Sequence, residues 1–463
     1  MTGEHSQITI VGLGPGDPES RTIGVQRALD IARRIILRTR IHPGIDDLES
    51  DPRVSDCDDL YEIASGFDEL YPAIADRVLD AARRYGHVVF AVPGHPRFGE
   101  RVIPFIEVRG RLLEITVTVL DAVSFVDASV AALKVDPVIE GLQVADAEYL
   151  AATLDQNPFA AGLRGIDPAR PLLVAQVYNE TLSAAVKIAL SRIYPEDHAV
   201  TLVHAAGFSH EEIAPCVPLH LLDRQTIDHL TSLWVPPLPV LDAVRVAETL
   251  VGVVARLRSP AGCPWDRAQT HASLRNAVLE EAYEVVDAID LNDDDGLAEE
   301  LGDLLLLITM HAQLAEEEDL FRIEDIYEGI TRKLIRRHPH VFGDVVAATP
   351  SAVIATWEGV KENERKARGN SESDVNPVDR LPRPMPATRK AIEVLAPRAV
   401  LRAPDDTAAG DKVLAAVRAL IDEGIDPERA LESSLREFVA ARSNGRTPRK
   451  ERSPFAMVEK GSA

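Results

Sequence analysis

Cysteine is scarce in this chain: Cys57, Cys216 and Cys263 are the three in 463 residues, widely spaced and without a C-x-x-C pair. That leaves no disulfide framework and no thiolate zinc site, and it suits a reducing cytoplasm. Positive charge is also short, with 50 Lys and Arg against 74 Asp and Glu and a formal net charge of -24. Such a balance argues against nucleic acid or an anionic membrane surface as a partner, since both repel an acidic protein. A phosphate ligand stays open, because a bound cation and a few basic residues can invert the local field. No basic-then-apolar signal stands in MTGEHSQITIVGLG, and no uninterrupted apolar run reaches membrane-spanning length. The expectation is a cytoplasmic protein with no membrane partner. What is present is ordinary globular material, 46% apolar and 27% charged, in a chain long enough for about three domains.

The most informative stretch is EEAYEVVDAIDLNDDDGLAEELGDLL, residues 280–305. Glu280, Glu281 and Glu284 stand at i, i+1 and i+4 of an expected helix, so Glu280 and Glu284 share a face and Glu281 lies beside them. Glu300 and Asp303 repeat an i, i+3 spacing, and the polar turn Asn292 to Gly296 would fold the second helix back on the first. Carboxylates crowded in this way repel one another unless a positive charge sits among them, and an all-oxygen set suits magnesium or manganese. A solvated acidic face is the plain alternative. Against it, Ala282, Tyr283, Val285 and Val286 interleave the first cluster, and Leu304 to Leu307 follow Asp303 in a helix apolar nearly all round. A di-iron carboxylate bundle would need Glu-x-x-His pairs, which neither cluster has.

In the first half, QITIVG at 7–12 reads as a buried strand, followed by a turn with Gly12, Gly14 and Gly16 and a helix near Arg21 to Ala32. Strand, glycine turn and helix form a phosphate- or cofactor-binding start. It is not the dinucleotide fingerprint, because Asp17 holds the sixth position of G-x-G-x-x-G and Pro15 interrupts the turn. A helix about 73–85 and strands 87–91 and 113–120 continue an α/β pattern with a mostly parallel sheet, and a second α/β segment runs from 137 to 222 with strands 171–177 and 198–204. Two adjoining α/β lobes usually leave a cleft.

GLGPGDP at 12–18, AVPGHP at 91–96, SFVDA at 124–128 and GLQVADA at 141–147 resemble the tetrapyrrole methylase family, in the form fused to MazG domains. The resemblance implies S-adenosylmethionine in the cleft between two lobes, held by Gly14, Gly16, Asp17, Pro93, Gly94, His95 and Ser124. One departure from the family pattern is that Asp121 and Ala122 stand where a glycine-rich step usually precedes the Ser-Phe pair. A Cβ at a close-approach site would crowd the cofactor.

From residue 230 to 240, LTSLWVPPLPV reads as a stiff connector, with Pro236, Pro237 and Pro239 in four positions. Long amphipathic helices follow, the first ending about Arg258, and Ser273 is placed to cap the first acidic helix. A later helix ends at Arg337 before Pro339 and gathers Lys333, Arg336, Arg337 and His338, which either offset the helix dipole or serve a polyphosphate beside its metal. Trp357 and Lys361 lie on a further helix, where the aromatic either stacks on a base or packs in the core. CPWD at 263–266, EExxE at 280–284, ExxD at 300–303, KLIRRHPHVFGD at 333–344 and TWEGVKENE at 356–364 are together similar to the MazG family of all-α nucleoside triphosphate pyrophosphohydrolases. That resemblance implies magnesium on Glu281, Glu284, Glu300 and Asp303 with Glu280 nearby, nucleotide contacts by Lys333, Arg337, Trp357 and Lys361, and a homodimer.

The expected organisation is therefore multidomain: a two-lobed, tetrapyrrole methylase-like α/β domain over 6–225, a linker over 226–242, and an all-α MazG-like domain over 243–368. A linker over 369–400, a degenerate second MazG-like repeat over 401–442 and a disordered tail over 443–463 complete it. In the repeat, Asp411 echoes Asp303, yet Ala408 stands where its partner acid should be. The expected function is magnesium-dependent (or manganese-dependent) hydrolysis of nucleoside triphosphates to monophosphate and pyrophosphate, beside an S-adenosylmethionine-dependent methyltransferase-like domain. The alternatives are a sensor of S-adenosylmethionine or tetrapyrrole on a dimerising helical scaffold, and methyl transfer as the main activity.

Overall fold

The computed structural model describes residues 6–156, 165–208, 216–347, 349–367, 377–395 and 408–443. They fall into two units, residues 1–323 and 324–463, each taken separately below.

The first lobe alternates β1 (Gln7–Gly12), α1 (Ile23–Ile31), β2 (Ile35–Leu37), β3 (Val54–Ser55), α2 (Asp58–Ile63), α3 (Phe67–Tyr85), β4 (His87–Val92), α4 (Val102–Leu112), β5 (Thr116–Val119) and α5 (Phe125–Leu133). The strands lie in the order β3-β2-β4-β1-β5, and every pairing is parallel. Such a sheet is covered on both faces, which is why its inner strands β1, β2 and β4 are rich in buried apolar residues. Ile8 and Ile10 point into one core with Ile74, Val78 and Ile106, whereas Val11 points into another with Val25 and Leu29. Helix α1 starts two residues later than the sequence pattern indicated, because Thr22 caps it by accepting from the Val25 amide at 3.2 Å.

The second lobe is β6 (Gln143–Asp146), α6 (Ala147–Gln156), β7 (Leu172–Ala175), α7 (Glu180–Leu190), β8 (Ala199–His204), β9 (Cys216–Pro218) and β10 (Thr231–Val235). Its order is β6-β7-β10-β8-β9, with only β6 and β7 parallel. The parallel arrangement expected of the first segment and found in the first lobe does not extend to this one. The connector expected over 226–242 is corrected: Thr231–Val235 is the central strand, antiparallel to both β7 and β8, with Leu233 and Val235 fully buried. The α/β domain extends past 225 accordingly. Proline cannot donate to a sheet ladder, but all three prolines follow the strand, and the apolar run before them pairs.

The helical part of this unit comprises α8 (Ala247–Arg258), α9 (Pro264–Arg267), α10 (Arg275–Leu291) and α11 (Asp294–Glu317). Asn292 ends α10 in the left-handed region (φ 53), and Asp293 caps α11 by accepting from the Gly296 amide at 3.0 Å. A two-residue reversal results, and α10 and α11 form the antiparallel pair the turn pattern called for. Ser273 does not cap α10. Its Oγ instead accepts from the Thr270 amide at 2.9 Å and donates to Gln269 Oε1 at 2.7 Å, closing the turn ahead of the helix. The core here is small, Val254, Leu274, Leu307, Met310 and Leu314.

The second unit contains α12 (Ile323–Arg337), α13 (Pro339–Phe342), α14 (Pro350–Ala367), α15 (Ala387–Leu395), α16 (Ala408–Asp422) and α17 (Pro427–Ser443). The expected linker 369–400 is ordered in its middle. Val378 packs with Leu435 and Val439, joined by Ala391 and Val394. Lys390, 1% exposed, donates to the Arg383 carbonyl and Glu432 Oε2, both at 3.0 Å. Residues 444–463 of the expected tail lie outside the described residues. Among the described residues no helix is long and apolar enough to cross a membrane.

Candidate functional site

On the hairpin, Glu281, Glu284 and Glu300 bring ligand oxygens within 4.8 Å of one another. The i, i+3 spacing on α10 puts the first two on one face, and the reversal at Asn292 and Asp293 brings the third across. Glu281 is pushed up from its ordinary pKa by desolvation, then by the hydrogen bond and charge of Glu284 and by the charges of Asp303 and Glu300. Glu300 is raised by desolvation and by Glu284 and Asp303. Converging carboxylates of which Glu281 and Glu300 resist losing a proton are a seat for a hard cation, and the all-oxygen donor set fits magnesium or manganese. Asp303 is exposed and lies one turn beyond Glu300; its charge acts on the group although it is not one of the three converging residues. Glu280 also stands outside the group. The acids were expected not to simply face water, and Glu281 and Glu300 are half-buried, whereas Glu284 is exposed, as are Tyr283 at 63% and Leu305 at 46%. A two-helix layer has an inner face for only some of its apolar positions.

In the second unit, the Arg337 guanidinium and the Lys361 ammonium stand over the Trp357 ring, 5.6 and 5.1 Å from its centroid. Glu364, which the sequence reading passed over, pairs with Arg337 Nη2 at 2.7 Å and accepts from Arg336 Nε at 2.6 Å. These hydrogen bonds hold its carboxyl down at about 2. Lys333 lies one turn before Arg337 on α12, half-buried. Asp411 belongs to no ligand group among the described residues.

In the α/β lobes, the ends of β1 and β4 meet. Gly14 and Gly94 exchange backbone hydrogen bonds at 3.2 and 3.1 Å. Gly12 has no room for a side chain, since a Cβ there would lie 2.1 Å from the Gly94 carbonyl oxygen and 2.7 Å from the Ala122 methyl. Ala122 thus fills space beside Gly12. A Cβ on Gly16 would lie 2.1 Å from the Gly207 carbonyl oxygen, so the first turn abuts the second lobe. Gly94, at φ +63, faces open space where its Cβ would be, a cradle at the carboxyl ends of parallel strands, where open α/β sheets bind ligands. The residues present fit a cofactor there. Pro93 and His95 flank Gly94, and Asp17 leads into a short 3₁₀ turn, its carbonyl accepting from Ser20 Oγ at 2.7 Å. Ser124 caps α5 in a reciprocal pair with Asp127, whose carboxyl is held low chiefly by the Ser124 hydroxyl, with a smaller effect from His95. Six of the seven expected cofactor residues therefore lie on the turns after β1 and β4, and Ser124 lies between β5 and α5.

His42 is a support the sequence reading missed: its Nε2 hydrogen-bonds the Gly14 carbonyl at 3.0 Å and its Nδ1 accepts from the Gly44 amide at 3.1 Å. Burial pushes it below its ordinary pKa, keeping the ring neutral. Across the cleft, Arg101 pairs with Glu148 at 2.9 Å, and Tyr178 donates to Glu148 at 2.7 Å, its hydroxyl raised to about 12 by burial and that partner. No spacing rule marks such contacts, because their members are remote in sequence or, for Arg101 and Glu148, come from different lobes.

Two family models match this chain. Residues 7–217 match Tetrapyrrole (Corrin/Porphyrin) Methylases, and residues 269–342 match the MazG nucleotide pyrophosphohydrolase domain. The fold and the two sites thus define a methylase-type α/β module followed by a MazG-type helical module. The uncharacterized protein YabN of Bacillus subtilis is 39% identical over 391 residues, 84% of this chain and 76% of that protein. The chain belongs to this family of tetrapyrrole methylase and MazG fusion proteins. The nucleoside triphosphate pyrophosphohydrolase/pyrophosphatase MazG of Thermotoga maritima is 47% identical over 132 residues, 28% of this chain, and the chain spans only half of its length. A uroporphyrin-III-C-methyltransferase from Thermus thermophilus overlays 50% of this chain and 94% of its own at 20% identity, with a TM-score of 0.37 that carries no argument by itself.

Proposed function

We propose that this protein hydrolyses nucleoside triphosphates to the monophosphate and pyrophosphate, using magnesium or manganese on the acidic hairpin. The observation that carries this reading is the convergence of Glu281, Glu284 and Glu300 from two antiparallel helices within 4.8 Å. The MazG family match and the nucleoside triphosphate pyrophosphohydrolase of Escherichia coli, 44% identical over 148 residues, support the substrate class. Glu281, Glu284 and Glu300 would hold the ion, with Asp303 as a fourth acid. Bound there, the ion supplies positive charge to the phosphate oxygens and acidifies a coordinated water. Glu280, outside the ligand group, is the carboxylate left to accept the water's proton. Lys333, Arg337 and Lys361 are the proposed phosphate contacts, and Trp357 orients the last two through its ring. A homodimer is the proposed assembly, supported by the apolar side chains that α10 and α11 leave exposed, Leu279, Tyr283, Val286, Leu301 and Leu305. The cytoplasm is the proposed location, on the cysteine usage.

The test is incubation of the purified protein with Mg²⁺ and a panel of ribo- and deoxynucleoside triphosphates, following pyrophosphate and monophosphate, with Glu281→Gln and Asp303→Asn alongside. Pyrophosphate that disappears in both variants supports the reading, and none from the wild type sinks it. The open cradle at Gly94 favours a second activity, binding of S-adenosylmethionine by the N-terminal lobes for methyl transfer. Titration calorimetry with S-adenosylmethionine decides that point, and a flat isotherm would leave the lobes as a tetrapyrrole sensor at most.

A further inference from the structure

One contact joins the arms of the hairpin well away from its acids. His271, in the loop after α9, and His311, on α11, lie with rings 3° from parallel and centroids 5.0 Å apart, and their Nδ1 atoms are 2.7 Å apart. At that separation one Nδ1 carries a hydrogen and the other accepts it. His271 precedes Glu281 by ten residues and His311 follows Glu300 by eleven. The imidazole contact and the carboxylate group are therefore two rungs of one antiparallel pair, about 15 Å apart at helical rise.

The remainder of that loop is already fixed by groups that keep their charge. Arg258, at the end of α8 with its side chain 5% exposed, pairs with both oxygens of Glu317 on α11, at 2.8 and 2.7 Å. Its remaining nitrogen donates to the Asp266 carbonyl of α9 and the Gln269 carbonyl of the loop. The pairing with Glu317 raises the Arg258 pKa and lowers that of Glu317. Asp266 of α9 is the other charged group beside Arg258. Burial and His271 are what depress His311. The joint that changes charge near neutrality is the histidine pair.

We propose that His271 and His311 are positioning residues whose shared hydrogen fixes the axial register of α11 against the segment entering α10, and with it the spacing of the metal-binding carboxylates. With both rings protonated, two donors face each other and the bond is lost. His311 sits below its ordinary value of 6.5, so the folded chain favours the neutral ring. The contact is intact above the unfolded value and is lost as pH falls through the folded one. This inference rests on the metal reading above.

The experiment measures Mn²⁺ affinity of the full-length protein by paramagnetic resonance at pH 7.5 and 5.5, for wild type, H311Q and H271Q, with amide hydrogen exchange of the metal-free proteins at both pH values. A glutamine amide supplies a donor and an acceptor at either pH, so H311Q should keep wild-type affinity at pH 7.5. On acidification the wild type should lose about tenfold more affinity than H311Q, the size expected when support of a metal ligand is removed. Amides of 268–274, corrected for intrinsic rate, should lose protection at pH 5.5 in the wild type and keep it in H311Q. Identical pH dependence of wild type and both variants overturns the proposal. A wild type that binds no Mn²⁺ at any pH sinks the metal reading, and the exchange measurement then still decides whether the histidine joint opens.

Discussion

The α/β lobes and the acidic hairpin bury their apolar residues very differently. In the lobes, whole strands such as Ile35–Leu37 and Leu172–Val174 are at most 2% exposed, and each lobe closes its own core. On the hairpin, Tyr283, Val286 and Leu305 remain 46–63% exposed around a five-residue core. The cofactor turn is built from backbone, glycines approaching carbonyls, and needs a rigid sheet behind it. The carboxylate group is built from like charges that oppose one another. One region closes its cores within itself; the other leaves large apolar side chains exposed.

The sharpest way to break this comparison is at the acids. Replacing Glu281 or Glu300 with Gln should lower pyrophosphate release by about a hundredfold or more, while leaving thermal unfolding unchanged or slightly later because a repulsion is removed. Unaltered turnover in a steady-state assay would show that the group is not the site. In the lobes the consequence should reverse. Gly12→Ala forces a Cβ to 2.1 Å from a carbonyl oxygen and should cost about 1–3 kcal/mol in urea unfolding, with hydrolysis retained wherever the chain stays folded.

A pH series sharpens the contrast further. Glu281 and Glu300 have raised folded-state pKa values, so the native chain holds protons that the unfolded chain has released, and their contribution to stability declines as pH rises from the unfolded value through the folded one. Mg²⁺ should therefore raise the melting temperature more at pH 8 than at pH 5, read by calorimetry. An equal increment at both would argue against ion binding here. Smaller still, Asn292→Ala should cost about 1–2 kcal/mol, because alanine tolerates φ 53 poorly, whereas Asn292→Gly should be close to neutral. Asp411→Asn should leave turnover within roughly the scatter of surface substitutions, since it belongs to no group of three or more potential ligands among the described residues.

Much of the first lobe was legible, because a parallel strand covered on both faces is largely apolar, and every residue of QITIVG after Gln7 is buried. The hairpin was legible for a different reason: Asn292 and Asp293 are turn and cap residues at the only reversal between two amphipathic segments. Thr231–Val235 was not, because three prolines just beyond it masked a strand whose partners, β7 and β8, are brought by the tertiary fold. The helix Ala387–Leu395 was hidden in a Pro- and Arg-rich stretch, and its reason to fold is Leu435 and Val439, over forty residues away.

The sequence by itself determined the two modules, their order and the acids of the hairpin, because helical periodicity and turn chemistry are local properties of the chain. Tertiary structure decided which acids converge, leaving Glu280 outside and Asp303 at the edge, and it alone produced the His271–His311 contact and the Gly12 approach to Gly94. Those depend on distances between residues remote in sequence, and such distances are set by how cores pack, which no local pattern encodes.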